Sequence, residues 1–323
     1  MAPVEIDGNP ITGATIDGTD VQEITVDGDV VFSAVETKIY HLGGDTGVPI
    51  DDIYEYDPAT DSISTKSATL PQNVDLATAA AVDGKIYHLG GQNSSGSEID
   101  DIYEYDPATD SIATMSATLP QNIFTASAAT VDGKIYHLGG STDQQIDDIY
   151  EYDPSTDSIS TMSATLPQNS QLATAAAVDG KIYHFGGFNG SARLDDIYEY
   201  DPATDSISTM SATLPQTITR ANVSVVDGKI YHFGGDTPSR IDEIYEYDPS
   251  TDSISTMSAT LPQDISRARS AAADGKIYHF GGFTGSELDD IYEYDPATDS
   301  ISTMSATLPQ DIMRATCVAI TLR

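Results

Sequence analysis

All six histidines of the sequence stand in one recurring string, IYH followed by Leu or Phe and then GG, at His41, His88, His137, His184, His232 and His279. Imidazole is a common metal ligand and proton carrier near neutral pH, so a set spaced by 47, 49, 47, 48 and 47 residues invites a metal or acid–base reading. Six arginines, Arg193, Arg220, Arg240, Arg267, Arg269 and Arg314, fall in segments that differ between copies of the string, together with Phe124, Phe188 and Phe283. Guanidinium forks suit carboxylates and sulfates, and aromatic faces suit sugar rings. Paired acids recur too, as Asp51-Asp52, Asp100-Asp101, Asp147-Asp148, Asp195-Asp196, Asp242-Glu243 and Asp289-Asp290. Their chemistry fits Ca²⁺, which takes about six to eight oxygens.

The elements that position these groups follow from the repeat. Each copy of the string leads into D-(D/E)-IYEYDP-(A/S)-TDSI and ends in SATLPQ. One unit reads as four short strands: in the second copy Ala77 to Val82 (A), Lys85 to Gly90 (B), Ile102 to Tyr105 (C) and Ser111 to Met115 (D). Asp83-Gly84, a Gly/Ser-rich loop and Asp106-Pro107 mark the turns. Such units cannot bury both faces alone, so they pack around an axis as blades. Six B, C and D strands are present, but only five A strands precede a DGK turn. The sixth is expected at the C-terminus, where Arg314-Ala-Thr-Cys-Val-Ala-Ile-Thr follows SATLPQ, closing blade 1 as its innermost strand.

An apolar strand, DGKIYHLGG, a variable loop, DIYEYDP and a closing strand resemble the kelch repeat, over roughly Lys38 to Arg323. Gly43-Gly44, Gly90-Gly91 and the Tyr of YDP match that motif, whereas Ile63, Ile112, Ile159, Ile207, Ile254 and Ile301 stand where the family carries a later Trp. The resemblance implies an all-β, six-bladed kelch-type β-propeller with four strands per blade, spanning 38–323. Some kelch propellers are copper-radical oxidases and others sugar epimerases. The oxidase needs a cysteine-modified tyrosine beside dedicated histidines, and here every His belongs to the scaffold motif.

Residues 1–37 are surplus to that propeller. Ile6-Asp7-Gly8, Ile16-Asp17-Gly18 and Val26-Asp27-Gly28 recur every ten residues and read as short strands joined by Asp-Gly turns. With too little apolar content to fold alone, the segment is expected to dock on a partner or on copies of itself. It is similar to short strand repeats that lead into tail-associated (fibre or baseplate) proteins of tailed viruses of halophilic archaea.

Composition narrows the classes further. Fourteen Lys and Arg against 51 Asp and Glu give a formal charge of −37, which repels phosphate backbones and anionic membranes. The imbalance reads as halophilic, because molar salt shortens the screening length to about 3 Å and relieves the self-repulsion. One Cys allows neither an intrachain disulfide nor a four-cysteine zinc site, and Cys317 is expected to be a packed small side chain. No signal peptide or long apolar span is visible.

Strand order sorts the rest. The B–C loops (DTGVPI, QNSSGSEI, STDQQI, FNGSARL, DTPSRI, FTGSEL) and the D–A segments vary and share one face, while VDGK and DPATDS scarcely change on the other. One column of the variable face runs Leu76, Thr125, Leu172, Arg220, Arg267, Arg314. That face is the expected site for an anionic glycan or a protein. The histidines are expected to be buried, hydrogen-bonded scaffold groups, with His41 near Glu55 and His88 near Glu104, since equivalent B-strand positions lie too far apart to share zinc. Neighbours on a strand point to opposite sides, so the acid pairs cannot chelate one ion unaided.

The sequence therefore predicts a non-enzymatic virion attachment protein, without catalytic residue, metal or cofactor. It would be anchored through 1–37 to other virion proteins, homo-oligomeric within that assembly, and would bind a host-surface glycan or glycoprotein. The alternatives are a kelch-type sugar-processing enzyme and a cellular interaction propeller of a halophile.

Overall fold

The alternation in KIYH sets the architecture, because Lys and Tyr leave one side of strand B while Ile and His leave the other. In the computed structural model, blade 2 consists of strands A (Thr78–Val82), B (Lys85–Leu89), C (Ile102–Asp106) and D (Ser111–Thr114). They form one antiparallel sheet in the order D-C-B-A, and six such four-stranded sheets make up the propeller. Observed bounds lie within a residue of those expected. Asp83 and Gly84 both have positive φ, 50° and 77°, as a two-residue hairpin turn that matches strand twist requires. The structure describes residues 36–322 throughout, and before them the backbone of Glu5–Ile6, Asn9–Pro10, Glu23–Val26 and Asp29–Ser33.

Blade 1 closes as expected. Thr316–Leu322 pairs antiparallel with Glu36–Leu42, placing Cys317 opposite His41 and Leu322 opposite Glu36. Of the leader, Glu5–Ile6 pairs with Asn9–Pro10 and Glu23–Val26 with Asp29–Ser33. The expected turns Asp7-Gly8 and Asp27-Gly28, and the Ile16-Asp17-Gly18 repeat, lie outside the described residues.

No blade owns a core. Tyr87, Leu89 and Ile102 of blade 2 pack with Ile135, Tyr150 and Tyr152 of blade 3, and the cluster between blades 6 and 1 joins Tyr278, Phe280 and Ile291 to Ile39, Tyr54 and Tyr56. Each wedge is therefore finished only by a neighbour. Rings meet edge-on across these seams, as in Tyr40 against Tyr105 at 5.7 Å.

Polar staples follow the same cycle. The Asp of TDS, itself at positive φ, receives the Tyr of YDP and reaches the previous blade. Asp157 takes the amides of Ser116 and Ala117 at 2.8 and 3.2 Å and the Tyr152 hydroxyl at 3.2 Å. Asp61 closes the circuit on Ser305 and Ala306. Gln of SATLPQ donates to the strand C Tyr hydroxyl of the next blade, from Gln72 to Tyr103 at 2.7 Å through to Gln310 on Tyr54 at 2.6 Å.

The glycine pair is fixed by contact. A β-carbon on Gly90 would stand 2.4 Å from the Ile123 carbonyl, and one on Gly91 2.7 Å from the Asp75 carbonyl. The close approach lets the Gly91 amide bond the Ile123 carbonyl at 2.8 Å, across the blade seam.

One expectation is corrected. His41 pairs with Tyr54 and His88 with Tyr103, one residue off the expected register, and Tyr40 and Tyr87 are the residues opposite Glu55 and Glu104. Glu104 accepts from Lys85 at 2.5 Å and Tyr87 at 2.7 Å, the two side chains that share a side of strand B.

Candidate functional site

The six column residues Leu76, Thr125, Leu172, Arg220, Arg267 and Arg314 line the mouth of the central channel, and all have left-handed backbones with φ between 56° and 61°. A hydrogen-bonded ring holds them there. Each amide donates to the carbonyl of its counterpart in the preceding blade: Thr125 to Leu76, Leu172 to Thr125, Arg220 to Leu172, Arg267 to Arg220 and Arg314 to Arg267, all at 2.9 Å, with Leu76 to Arg314 at 3.2 Å completing the turn. This conformation costs a non-glycine residue about 1–2 kcal/mol. It persists where the surroundings over-determine it, and such positions concentrate at functional sites.

The side chains above the ring are sorted by the residue that follows each glycine pair. Asp45 meets Arg314 at 3.0 Å and Asp236 meets Arg220 at 3.1 Å. In blade 6 the same place is Phe283, whose ring lies beneath two guanidiniums, Arg267 at 4.7 Å and Arg240 at 5.3 Å. Arg267 has no carboxylate within ion-pair distance among the described residues, and its Nε is buried without a partner, as is that of Arg240. Burial lowers the Arg267 pKa, and Arg314 and Arg220 add to the effect. The rim is thus neutralised at two of its arginines and bare at the third.

Asp75, which the sequence reading did not single out, joins this rim. It is buried 3.5 Å from Arg314, one oxygen has no partner among the described residues, and burial pushes its pKa up to about 6, with Arg314 opposing and Asp45 adding to the rise.

The other expected residues are placed as follows. Arg193 and Phe188 are bridge partners within the blade 4 loop, and Phe124 bridges Ser141 in blade 3; neither Phe has a guanidinium over its ring among the described residues. Arg269 opens strand A of blade 6 (Arg269–Ala273) and lines both the mouth, with Arg220, Arg267 and Arg314, and the channel below it.

The histidines are buried and neutral. Burial lowers the pKa to about 4 at His88, His137 and His184 and to about 3 at His41, His232 and His279. The expected hydrogen bonds are a second correction: both ring nitrogens of His137, His184 and His279 lack a partner among the described residues. Each imidazole instead lies near the strand C Tyr, at 6.1 Å between centroids for His184 and Tyr198. The acid pairs divide their work, for Asp101 accepts from Gln72 and Tyr103 while the Asp100 carbonyl takes the Leu119 amide. Among the described residues no group of three or more His, Cys, Asp or Glu is disposed to hold a metal. Burial raises the Cys317 thiol pKa, which suppresses thiolate chemistry.

No curated protein matches the chain. The solved structure of YjhT shares its fold, with a TM-score of 0.69 and 17% identity over 82% of this chain and 97% of that one. The family model described as the KLHDC2/KLHL20/DRC7 Kelch-repeats domain matches residues 20–171, 76–269 and 161–322. With that match running through every blade, the chain belongs to the kelch-repeat family.

Proposed function

We propose that the protein is a non-enzymatic attachment propeller whose channel mouth binds an acidic group of a host-surface glycan or glycoprotein. Its residues 1–37 would tether it to a virion tail or fibre. The kelch propeller itself supports a binding role. The observation that carries the finer reading is the Arg267–Phe283–Arg240 stack: two guanidiniums around one aromatic ring, neither with a carboxylate partner among the described residues, in a protein of formal charge −37. Carboxylate or sulfate would supply the missing charge and a sugar face would extend the stack.

The tether reading is supported by position. Strand B of blade 1 begins at Glu36, on the side of the A–B turns, so the leader joins the propeller away from the variable mouth. A surface-bound particle needs that polarity. The non-enzymatic reading is supported by the histidines, which are neutral, buried between blades and remote in role from the mouth.

Binding of immobilised protein to uronate-bearing, sulfated and neutral glycans tests the ligand reading. Acidic glycans should bind at least about tenfold more tightly, and Arg267→Leu should remove that preference. Equal affinity for neutral glycans would refute it. The tether is tested separately, by whether protein lacking 1–35 still copurifies with particles.

A further inference from the structure

Two residues inward of the mouth column, every blade places a polar side chain on the channel: Thr78, Ser127, Thr174, Asn222, Arg269 and Thr316. They line a cavity of about 120 Å³. The surrounding strands are otherwise rich in alanine, so this polar layer is a departure from its own neighbourhood. Five of its members are neutral and one is a full positive charge.

That charge has no counter-charge. Arg269 makes one side-chain hydrogen bond, from Nη1 to the Ala268 carbonyl at 3.0 Å, and no carboxylate stands within 4.0 Å of it among the described residues. The chain has 51 acidic residues, so the omission is specific to the place. Around it, Thr78 Oγ1 is buried without a partner among the described residues, which leaves that hydroxyl uncommitted as a donor, while the amide oxygen of Asn222, equally unpartnered, is an acceptor. Arg269 is partly buried, and a partly desolvated cation without a counter-charge, facing the uncommitted Thr78 hydroxyl, is what a small anion requires. The sulfur of Cys317, paired in register with His41, borders the same cavity as a protonated thiol and adds no negative charge.

We propose that the hub binds a halide, held by Arg269 and the Thr78 hydroxyl, as an internal counter-ion within the channel. It rests on Arg269 and Thr78, whereas the glycan reading rests on Arg267 and Phe283, so the two are tested by different variants. A ligand that binds only the folded ring stabilises it in proportion to the logarithm of its concentration.

Thermal unfolding in sodium chloride is to be compared with sodium gluconate, whose anion is far larger than a halide, at equal sodium concentration. The midpoint should be several degrees higher in chloride. Arg269→Leu should melt alike in both salts and no lower than wild type in gluconate, because the substitution removes a partly buried charge that has no carboxylate partner. Arg267→Leu should keep the chloride effect. If wild type melts equally in the two salts, or if Arg269→Leu loses the same stability in both, Arg269 is a packing residue and the proposal fails. Crystals soaked in bromide give a readout that needs no variant: an anomalous peak beside Arg269 is expected, and a water-filled chamber would overturn the assignment.

Discussion

Two circles of the propeller obey opposite rules. Around the outside, chemistry repeats without exception: Asp61, Asp110, Asp157, Asp205, Asp252 and Asp299 each reach the amides of the previous blade. Around the channel mouth only the backbone repeats. The amide ring and its left-handed φ values are uniform from Leu76 to Arg314, yet the side chains they carry run from leucine and threonine to arginine. Where the side chain is the fastener, its identity cannot drift. Where main-chain hydrogen bonds are the fastener, the side chains are released for recognition, and that separation is what lets one scaffold present different rims.

The strongest way to break the comparison is to cut the circle itself. Removing 316–323 leaves blade 1 with three strands and opens the wedge between blades 6 and 1. Loss of the cooperative transition in circular dichroism is expected, and a cooperative melt near the wild-type midpoint would mean that the staples alone hold the ring.

Acid is the next largest perturbation. The buried imidazoles titrate at about 3 to 4, whereas those of the unfolded chain titrate near the ordinary 6.5. The unfolded state therefore takes up protons first. Stability is complete above about pH 6.5 and falls as pH drops towards 4, by up to roughly 1.4 kcal/mol per pH unit for each histidine. The Asp157 and Asp205 carboxyls, held below the usual range chiefly by the Ser116 and Ser163 amides against the opposing effect of burial, add a loss at still lower pH. Denaturant midpoints that stay level from pH 7 to about 4.5 would show that the histidines are not shielded from protons.

The smallest effect sharpens the contrast between circles. Asp157→Ala strips two amides and a tyrosine hydroxyl of their acceptor and should cost about 1–3 kcal/mol. Leu172→Gln at the mouth changes only an outward side chain on the same backbone ring and should stay within about 0.5 kcal/mol. Urea titration of the two variants measures both, and similar losses would erase the distinction.

Much of this was legible in the sequence, and the gaps have physical causes. Strand edges and the closing strand could be read from repeats and turn residues, because Asp-Gly and Asp-Pro fix where a strand ends. The parity of pairing could not: a one-residue slip exchanges His88 for Tyr87 opposite Glu104, and only the path of the glycine pair and its loop decides between them. Arg269 reads with the loop arginines, although the repeat aligns Ala268 with Ala77 and so already sets Arg269 at the start of strand A. The outer staple was hidden for another reason. An Asp in a turn announces the turn, not the amides some 40 residues away that it serves. The Arg–Asp, Arg–Phe alternation at the mouth was readable in principle, by setting the residue after each GG beside its column residue.

The pairing of Thr316 with Leu42 also governs how the molecule is made. The hydroxyl of Thr316 finds the Leu42 carbonyl 274 positions upstream, so strand B of the first blade leaves the ribosome long before its partner exists. Throughout that interval its main-chain donors and acceptors stand open to any extended peptide nearby, a second nascent copy included. Slow or crowded synthesis should therefore yield exchanged dimers, each lending its last strand to the other.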